Sequence, residues 1–69
     1  MITYLQLLIL IDYDDIPKRI KCNDEIYVWY DKDKSYIREF MPLNLSTYLS
    51  IRYNDSYMAS VPCIEVIEQ

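Results

Sequence analysis

Two alternating runs, Lys18 to Cys22 and Glu25 to Tyr30, are separated by Asn23-Asp24 alone, and this spacing narrows the folding of the chain more than any other feature. A two-residue turn between strands demands the left-handed conformation, which Asn and Asp tolerate better than most residues. The chain has no Gly at all. The spacing predicts an antiparallel hairpin in the middle of the sequence. In its second strand Ile26, Val28 and Tyr30 share one face, while Tyr27 and Trp29 share the other. Apolar residues on both faces suit a central strand, or a strand with one face reserved for a partner.

The flanking segments supply a helix on one side and strands on the other. Thr3 followed by Gln6 matches a capping box, with Ile2 and Leu7 at the hydrophobic-staple positions around it. Leu5, Leu8, Ile9 and Asp12 recur at helical spacing, although the segment is apolar nearly all round and also reads as a buried strand. The cap favours a helix from Tyr4 to Asp12. Tyr13 to Asp15 form a polar break, and Ile16-Pro17 ends the helix because a residue before Pro is pushed out of the α region. Asp31 to Ser35 read as a charged turn and Tyr36 to Phe40 as a third strand, stopped by Pro42. Between Leu43 and Tyr53, Leu45, Tyr48, Leu49 and Arg52 fit one helical face with Asn44 as cap. The β-branched and aromatic content there also suits a strand; a short helix is preferred. Asn54-Asp55-Ser56 is a second turn cluster. Ser60 to Ile67 is the last strand, with Pro62 at its start or facing out at an edge.

These elements add up to one α+β domain spanning residues 1–69. A short N-terminal helix packs on a small antiparallel sheet built around the central hairpin. The expected core is Ile16, Ile20, Ile26, Val28, Ile64 and Val66 beside Leu5, Leu8 and Ile9. A domain of this size buries only about 60% of the surface its unfolded chain exposes. Small domains therefore often add a disulfide, a metal or a partner. With no His and only Cys22 and Cys63, far apart in sequence, structural zinc is excluded. The two cysteines can form one disulfide or remain buried thiols that behave as small hydrophobes. Absence of an export signal favours thiols. Tyr4 to Ile11 is apolar but far short of the roughly 20 residues that span a bilayer. No basic residue precedes it and no small-residue cleavage site follows, so the expected location is the cytoplasm, with no membrane contact.

The inventory of reactive groups argues against an enzyme. Lacking Gly, the chain has no P-loop, dinucleotide fingerprint or Gly-rich oxyanion turn. Lacking His, it has no Ser-His-Asp or Cys-His arrangement and loses the commonest general base. Carboxylates remain, in one cluster at Asp12, Asp14 and Asp15 and another at Asp31 and Asp33. A carboxylate pair can do acid–base work or hold Mg²⁺ or Ca²⁺. Asp31, Asp33 and Ser35 occupy the first, third and fifth positions of a calcium loop, but Tyr36 stands where Gly belongs and Pro42 where Glu belongs. The clusters read as solvated turns, and no cofactor or metal is expected.

Net charge is −4, which disfavours direct nucleic-acid binding, since that rests on Lys and Arg neutralising phosphates. The short run of Lys18, Arg19 and Lys21 reads as a solubilising decoration of a strand rather than a phosphate site. The positive signal is aromatic: eight Tyr, one Trp and one Phe. Tyr and Trp combine apolar area with a polar tip and are enriched at binding hot spots. About half of these rings are expected to fill the core, leaving an acidic and aromatic surface suited to a positively charged ligand.

The run LLILIDYDDIPKRIKCNDEIYVWYDKDKSY resembles small uncharacterised proteins of phages and prophages of low-GC Gram-positive bacteria. Those carry a short apolar helix, an IPKKIK-like strand, a turn, a Y-W strand and an acidic EVEIIE-like tail. The matching pieces here are Leu7 to Ile11, Ile16 to Lys21, Ile26 to Trp29 and Ile64 to Glu68; Pro62-Cys63 departs from the pattern. Several small phage proteins of this size resemble inhibitors of host defence, including anti-CRISPR proteins. The resemblance implies a non-catalytic inhibitor, acting as a monomer or homodimer in the host cytoplasm. Its partner would be a host protein with a basic surface, such as a nucleic-acid-handling effector. Tyr27, Trp29 and Tyr30 are the expected aromatic contacts. Asp14, Asp15, Asp31 and Asp33 are expected to meet Lys or Arg on that partner. The alternative is a structural or assembly role, with the aromatic surface making a homo-oligomer or virion contact.

Overall fold

The computed structural model describes residues 1–54 and 58–69. In chain order the elements are β1 (Ile2–Thr3), α1 (Tyr4–Asp12), β2 (Arg19–Cys22), β3 (Glu25–Tyr30), β4 (Ser35–Arg38), α2 (Leu45–Tyr53), a single 3-10 turn (Met58–Ser60) and β5 (Pro62–Glu68). The strands form one antiparallel sheet in the order β1-β5-β2-β3-β4. The α+β class, the N-terminal helix packed on an antiparallel sheet, and the hairpin within that sheet are as expected. β1 was not foreseen, and β5 inserts between it and β2.

Local chemistry explains each boundary. At the start of α1 the Gln6 N–H donates to Thr3 Oγ1 at 3.1 Å and the Thr3 N–H donates to Gln6 Oε1 at 2.8 Å, completing the capping box. At its end the Asp14 N–H donates to the Ile11 carbonyl (3.0 Å) and the Asp15 N–H to the Leu10 carbonyl (2.9 Å). With Asp14 at φ 60°, this is a Schellman closure made by Asp in a chain without Gly. The hairpin turn falls on Asn23 (φ 47°) and Asp24 (φ 70°), between the Cys22–Glu25 pair. Asn44 caps α2, its Oδ1 accepting from the Ser46 N–H at 2.9 Å. Asn54, at φ 69°, closes α2; Asp55 and Ser56 of the expected turn cluster lie outside the described residues. Pro62 opens β5, where a missing N–H is tolerated.

The core lies between the helices and one face of the sheet. Leu7, Leu45 and Leu49 from the helices meet Ile20, Cys22, Tyr27, Tyr36, Cys63 and Ile64, all buried. Of the expected core, Ile20 and Ile64 are fully buried, and Ile16 and Val66 pack partly buried against them. Two parts of the expectation are corrected. Ile26 and Val28 lie on the opposite face of β3, because Tyr27 is the residue paired with buried Ile20. On α1 the buried residue is Leu7, with Tyr4 and Ile11 packed at its flanks, while Leu5, Leu8 and Ile9 are exposed. A segment apolar nearly all round has no pattern to choose its face, and the face that is buried is the one carrying Leu7. Phe40, expected in β4, lies beyond its end, where the Glu39 N–H bonds back to the Ile26 carbonyl (2.9 Å).

Candidate binding surface

The two acidic clusters, far apart in sequence, arrive at one end of the sheet. β2 begins there, β3 ends there, and the Trp29 N–H donates to the Lys18 carbonyl at 3.0 Å. The Schellman closure of α1 delivers Asp14 and Asp15 into the segment that feeds β2. That segment is fixed to β4 by the Tyr36 hydroxyl, which donates to the Pro17 carbonyl at 2.7 Å. Residues 31–34 form the turn from β3 to β4, with the Asp33 N–H on the Tyr30 carbonyl and the Lys34 N–H on the Asp31 carbonyl, both 3.2 Å. Lys34 takes the left-handed position of this turn at φ 53°.

Six of the seven expected contact residues gather here. Trp29 is half-buried, edge-on to Tyr36 with ring centroids 5.0 Å apart. Its indole N–H points to Asp31 Oδ1 at 3.4 Å, and Lys34 Nζ reaches the same oxygen at 2.9 Å. The Lys34 hydrogen bond first, then the indole, hold the Asp31 carboxyl below the usual carboxylate range. Tyr30, Asp33, Asp14 and Asp15 are exposed. Tyr27 is the exception and the expectation for it is corrected: it is fully buried and presents nothing to a partner. Its pairing with Ile20 carries it under α2, where its ring lies 6.0 Å from that of Tyr48. Burial pushes its phenol up to about 12, and the hydroxyl finds no hydrogen-bond partner among the described residues.

Beside Trp29 a cavity of about 320 Å³ opens between α1, the β3–β4 turn and the start of α2, lined by Tyr4, Leu8, Ile11, Trp29, Lys34 and Tyr36 among others. It is at the small end of ligand pockets and has the size and aromatic lining to accept a side chain from a partner. Among the described residues, Asp12, Asp14, Asp15 and Asp33 make no ion pair. Asp12, Asp14 and Asp15 also crowd the negative end of the α1 dipole, with no basic residue in its last turn. Such placement is unfavourable by about 0.3–1 kcal/mol per charge. Of the basic run, Arg19 is engaged within the sheet, pairing with Glu39 (3.4 Å) and Glu68 (3.3 Å).

One residue with the marks of a contact escaped the sequence reading. Phe40 is 98% exposed and held at φ 70°, a conformation unfavourable for a bulky side chain. It projects with exposed Met41 from the other end of β4. The only hint in sequence was Pro42, which stops the strand. Among the described residues no group of three His, Cys, Asp or Glu side chains is placed to hold a metal ion, and no helix is long and apolar enough to cross a membrane. Comparison with protein-family models, curated proteins and solved structures finds no match.

Proposed function

We propose that this domain is a phage-encoded, non-catalytic inhibitor that binds a bacterial defence protein, with a CRISPR effector as the leading target. It does so by offering its acidic and aromatic end to a basic, nucleic-acid-handling surface. One observation carries the reading. The segment carrying Asp12, Asp14 and Asp15 enters the sheet at the end where the turn with Asp31 and Asp33 follows Trp29 and Tyr30 and an aromatic cavity opens, although three of those charges destabilise α1. Carboxylates spread over a surface can stand in for phosphates and speed encounter with a basic channel. Trp29, half-desolvated already, is the natural anchor. The chain acts by stoichiometric binding, as a monomer or homodimer, in the cytoplasm of the host cell.

The test is affinity capture of the tagged protein from its native host. Recovery of a nuclease or its guide complex supports the reading. Asp31→Lys with Asp33→Lys should then weaken capture most at low salt, because the attraction is screened within about 8–10 Å at ordinary ionic strength. Trp29→Ala should weaken capture about 30-fold at any salt, the effect of losing a hot spot of about 2 kcal/mol. An assembly role has one observation in its favour, the exposed apolar face of Leu5, Leu8 and Ile9 on α1. A large stable homo-oligomer in solution, or recovery of capsid or tail proteins alone, would replace the inhibitor reading with that one.

A further inference from the structure

Two cysteines separated by 41 positions in sequence meet in the core. Cys22 ends β2, and its register partner on β5 is Ile64. Strict alternation would turn Cys63 to the opposite face. The start of β5 is irregular instead: the Cys63 N–H bonds to the Val61 carbonyl at 3.0 Å, and Cys63 and Ile64 are both buried. This tight turn swings Cys63 inward, so that its Sγ lies 3.5 Å from Cys22 Sγ. Both thiols are free and buried, and the Cys22 thiol donates to the Cys63 sulfur. A disulfide bond is about 2.0 Å long, so closure asks only a small rotation of two side chains on neighbouring strands.

We propose that Cys22 and Cys63 form a modification site, at which a peroxide closes the pair into an intramolecular disulfide that staples β2 to β5. Access selects the order of events. Cys63 borders a cavity of about 350 Å³ lined also by Lys21, Asn23, Arg52 and Glu65, wide enough for a small oxidant. Cys22 lies behind it, its thiol pushed up to about 12 by burial first and by Cys63 second, so it does not react first. Cys63 gives its proton to solvent and its sulfur attacks one peroxide oxygen. An S–O bond forms, the O–O bond breaks, and the departing hydroxide takes up a proton to become water. The product at Cys63 is a sulfenic acid. The Cys22 sulfur then attacks Cys63 Sγ, forming the S–S bond and breaking the S–O bond, and the hydroxide leaves with the Cys22 proton as a second water. Two thiols are oxidised to one disulfide, and one peroxide is reduced to two waters. The reaction adds the covalent staple that a domain of this size otherwise lacks.

The experiment treats the purified, reduced full chain with hydrogen peroxide, with sulfoxide formation at exposed Met41 as the internal measure of dose. Non-reducing peptide mapping should join the Cys22 and Cys63 peptides within one chain. The melting temperature should rise by about 15 °C and fall back with dithiothreitol, as expected for cross-linking a long loop in a small domain. In Cys63→Ala, Cys22 should survive the same dose as a thiol and the temperature should not move. The proposal is overturned if both thiols outlast oxidation of Met41, if Cys63 stops at an oxyacid with Cys22 intact, or if the bond joins two chains. A joined map with no rise in melting temperature overturns the staple. The wild-type map alone decides the chemistry, whatever the folding of the variant.

Discussion

The two hairpin turns of the sheet, at opposite ends of β3, are built in opposite ways. The Asn23-Asp24 turn is fastened to the rest of the molecule. Asn23 Nδ2 donates to the Tyr53 hydroxyl at 2.6 Å and lies 3.3 Å from the Tyr48 hydroxyl, which ties the turn to α2. Next to it Glu25 receives both Nη2 (2.8 Å) and Nε (3.1 Å) of Arg38. The turn at residues 31–34 satisfies its groups internally, through Lys34 and the indole of Trp29, and its charged side chains face water. One end of the sheet therefore spends its polar groups on the fold. The other closes on itself, and Asp33 is left exposed without an ion pair among the described residues.

Raising the pH should strain both ends and lowering it only the exposed turn, and the alkaline loss is the largest effect expected. Cys22 and Tyr27, beside the fastened turn, hold their protons up to about 12, and Tyr36 is raised as well. An unfolded chain releases Cys protons near pH 8.5 and Tyr protons near 10. Between those values and about 12 the folded state binds more protons than the unfolded one, so stability is full below about pH 8.5 and falls as pH rises. The loss by about pH 11 should be on the order of several kcal/mol, read from urea midpoints. Tyr27→Phe should flatten the fall. At neutral pH it should be at least as stable as wild type, because it removes a buried hydroxyl without a partner among the described residues. On the acid side the sign reverses. Asp31 is depressed, so its contribution is present at neutral pH and disappears as pH drops through its folded value; being fully exposed, it should leave only a shallow slope.

Substitution sharpens the same contrast. Asn23→Ala forces a left-handed Ala and removes the bonds to the two tyrosines, so it should cost about 2–3 kcal/mol. The double variant Asp31→Ala, Asp33→Ala should leave the urea midpoint where it was while weakening capture of the partner. Equal losses from the two turns would erase the distinction between the ends.

The legible part of the fold was the part written in neighbouring residues. Thr3 with Gln6, Asn44 before Ser46 and Asn23-Asp24 each satisfy or bend the backbone within a few positions, and each sits where the sequence places it. Illegible features depended on partners distant in sequence. β1 exists only because Ile2 and Thr3 meet Ile64 and Pro62. The faces of β3 were both apolar, and only the register with β2 decided that Tyr27 goes in and Val28 out. The same cause limited the site. Trp29, Tyr30 and the carboxylates were singled out from side-chain chemistry alone, whereas their placement toward one end followed from the sheet. Phe40 was hidden because a strand reading gave it an ordinary role.

Smaller effects test whether exposed features are retained against stability. Phe40→Gly should stabilise the free domain by up to about 1 kcal/mol, the relief of left-handed strain being partly offset by glycine's greater freedom in the unfolded chain. Asp14→Gly should stabilise by about 0.5–1 kcal/mol, since Gly suits the Schellman position and a charge leaves the negative end of α1. Thermal melts read both. A loss of stability in either variant would mean that the side chain supports the fold and is not held in reserve.

The insertion of β5 between β1 and β2 has a kinetic consequence. Without that strand, β2 would be the open rim of the β2-β3-β4 meander, with unpaired amides able to recruit another chain. Pairing across so much intervening sequence is slow compared with closing a hairpin. Lys18, Arg19 and Lys21 lie along this temporary rim, and a row of like charges is a common guard against strand-to-strand association. Once β5 arrives, Arg19 is absorbed by Glu68 and Lys21 is matched by Glu65 across the new pairing. Two of the three cations on that rim thus end opposite a carboxylate of β5.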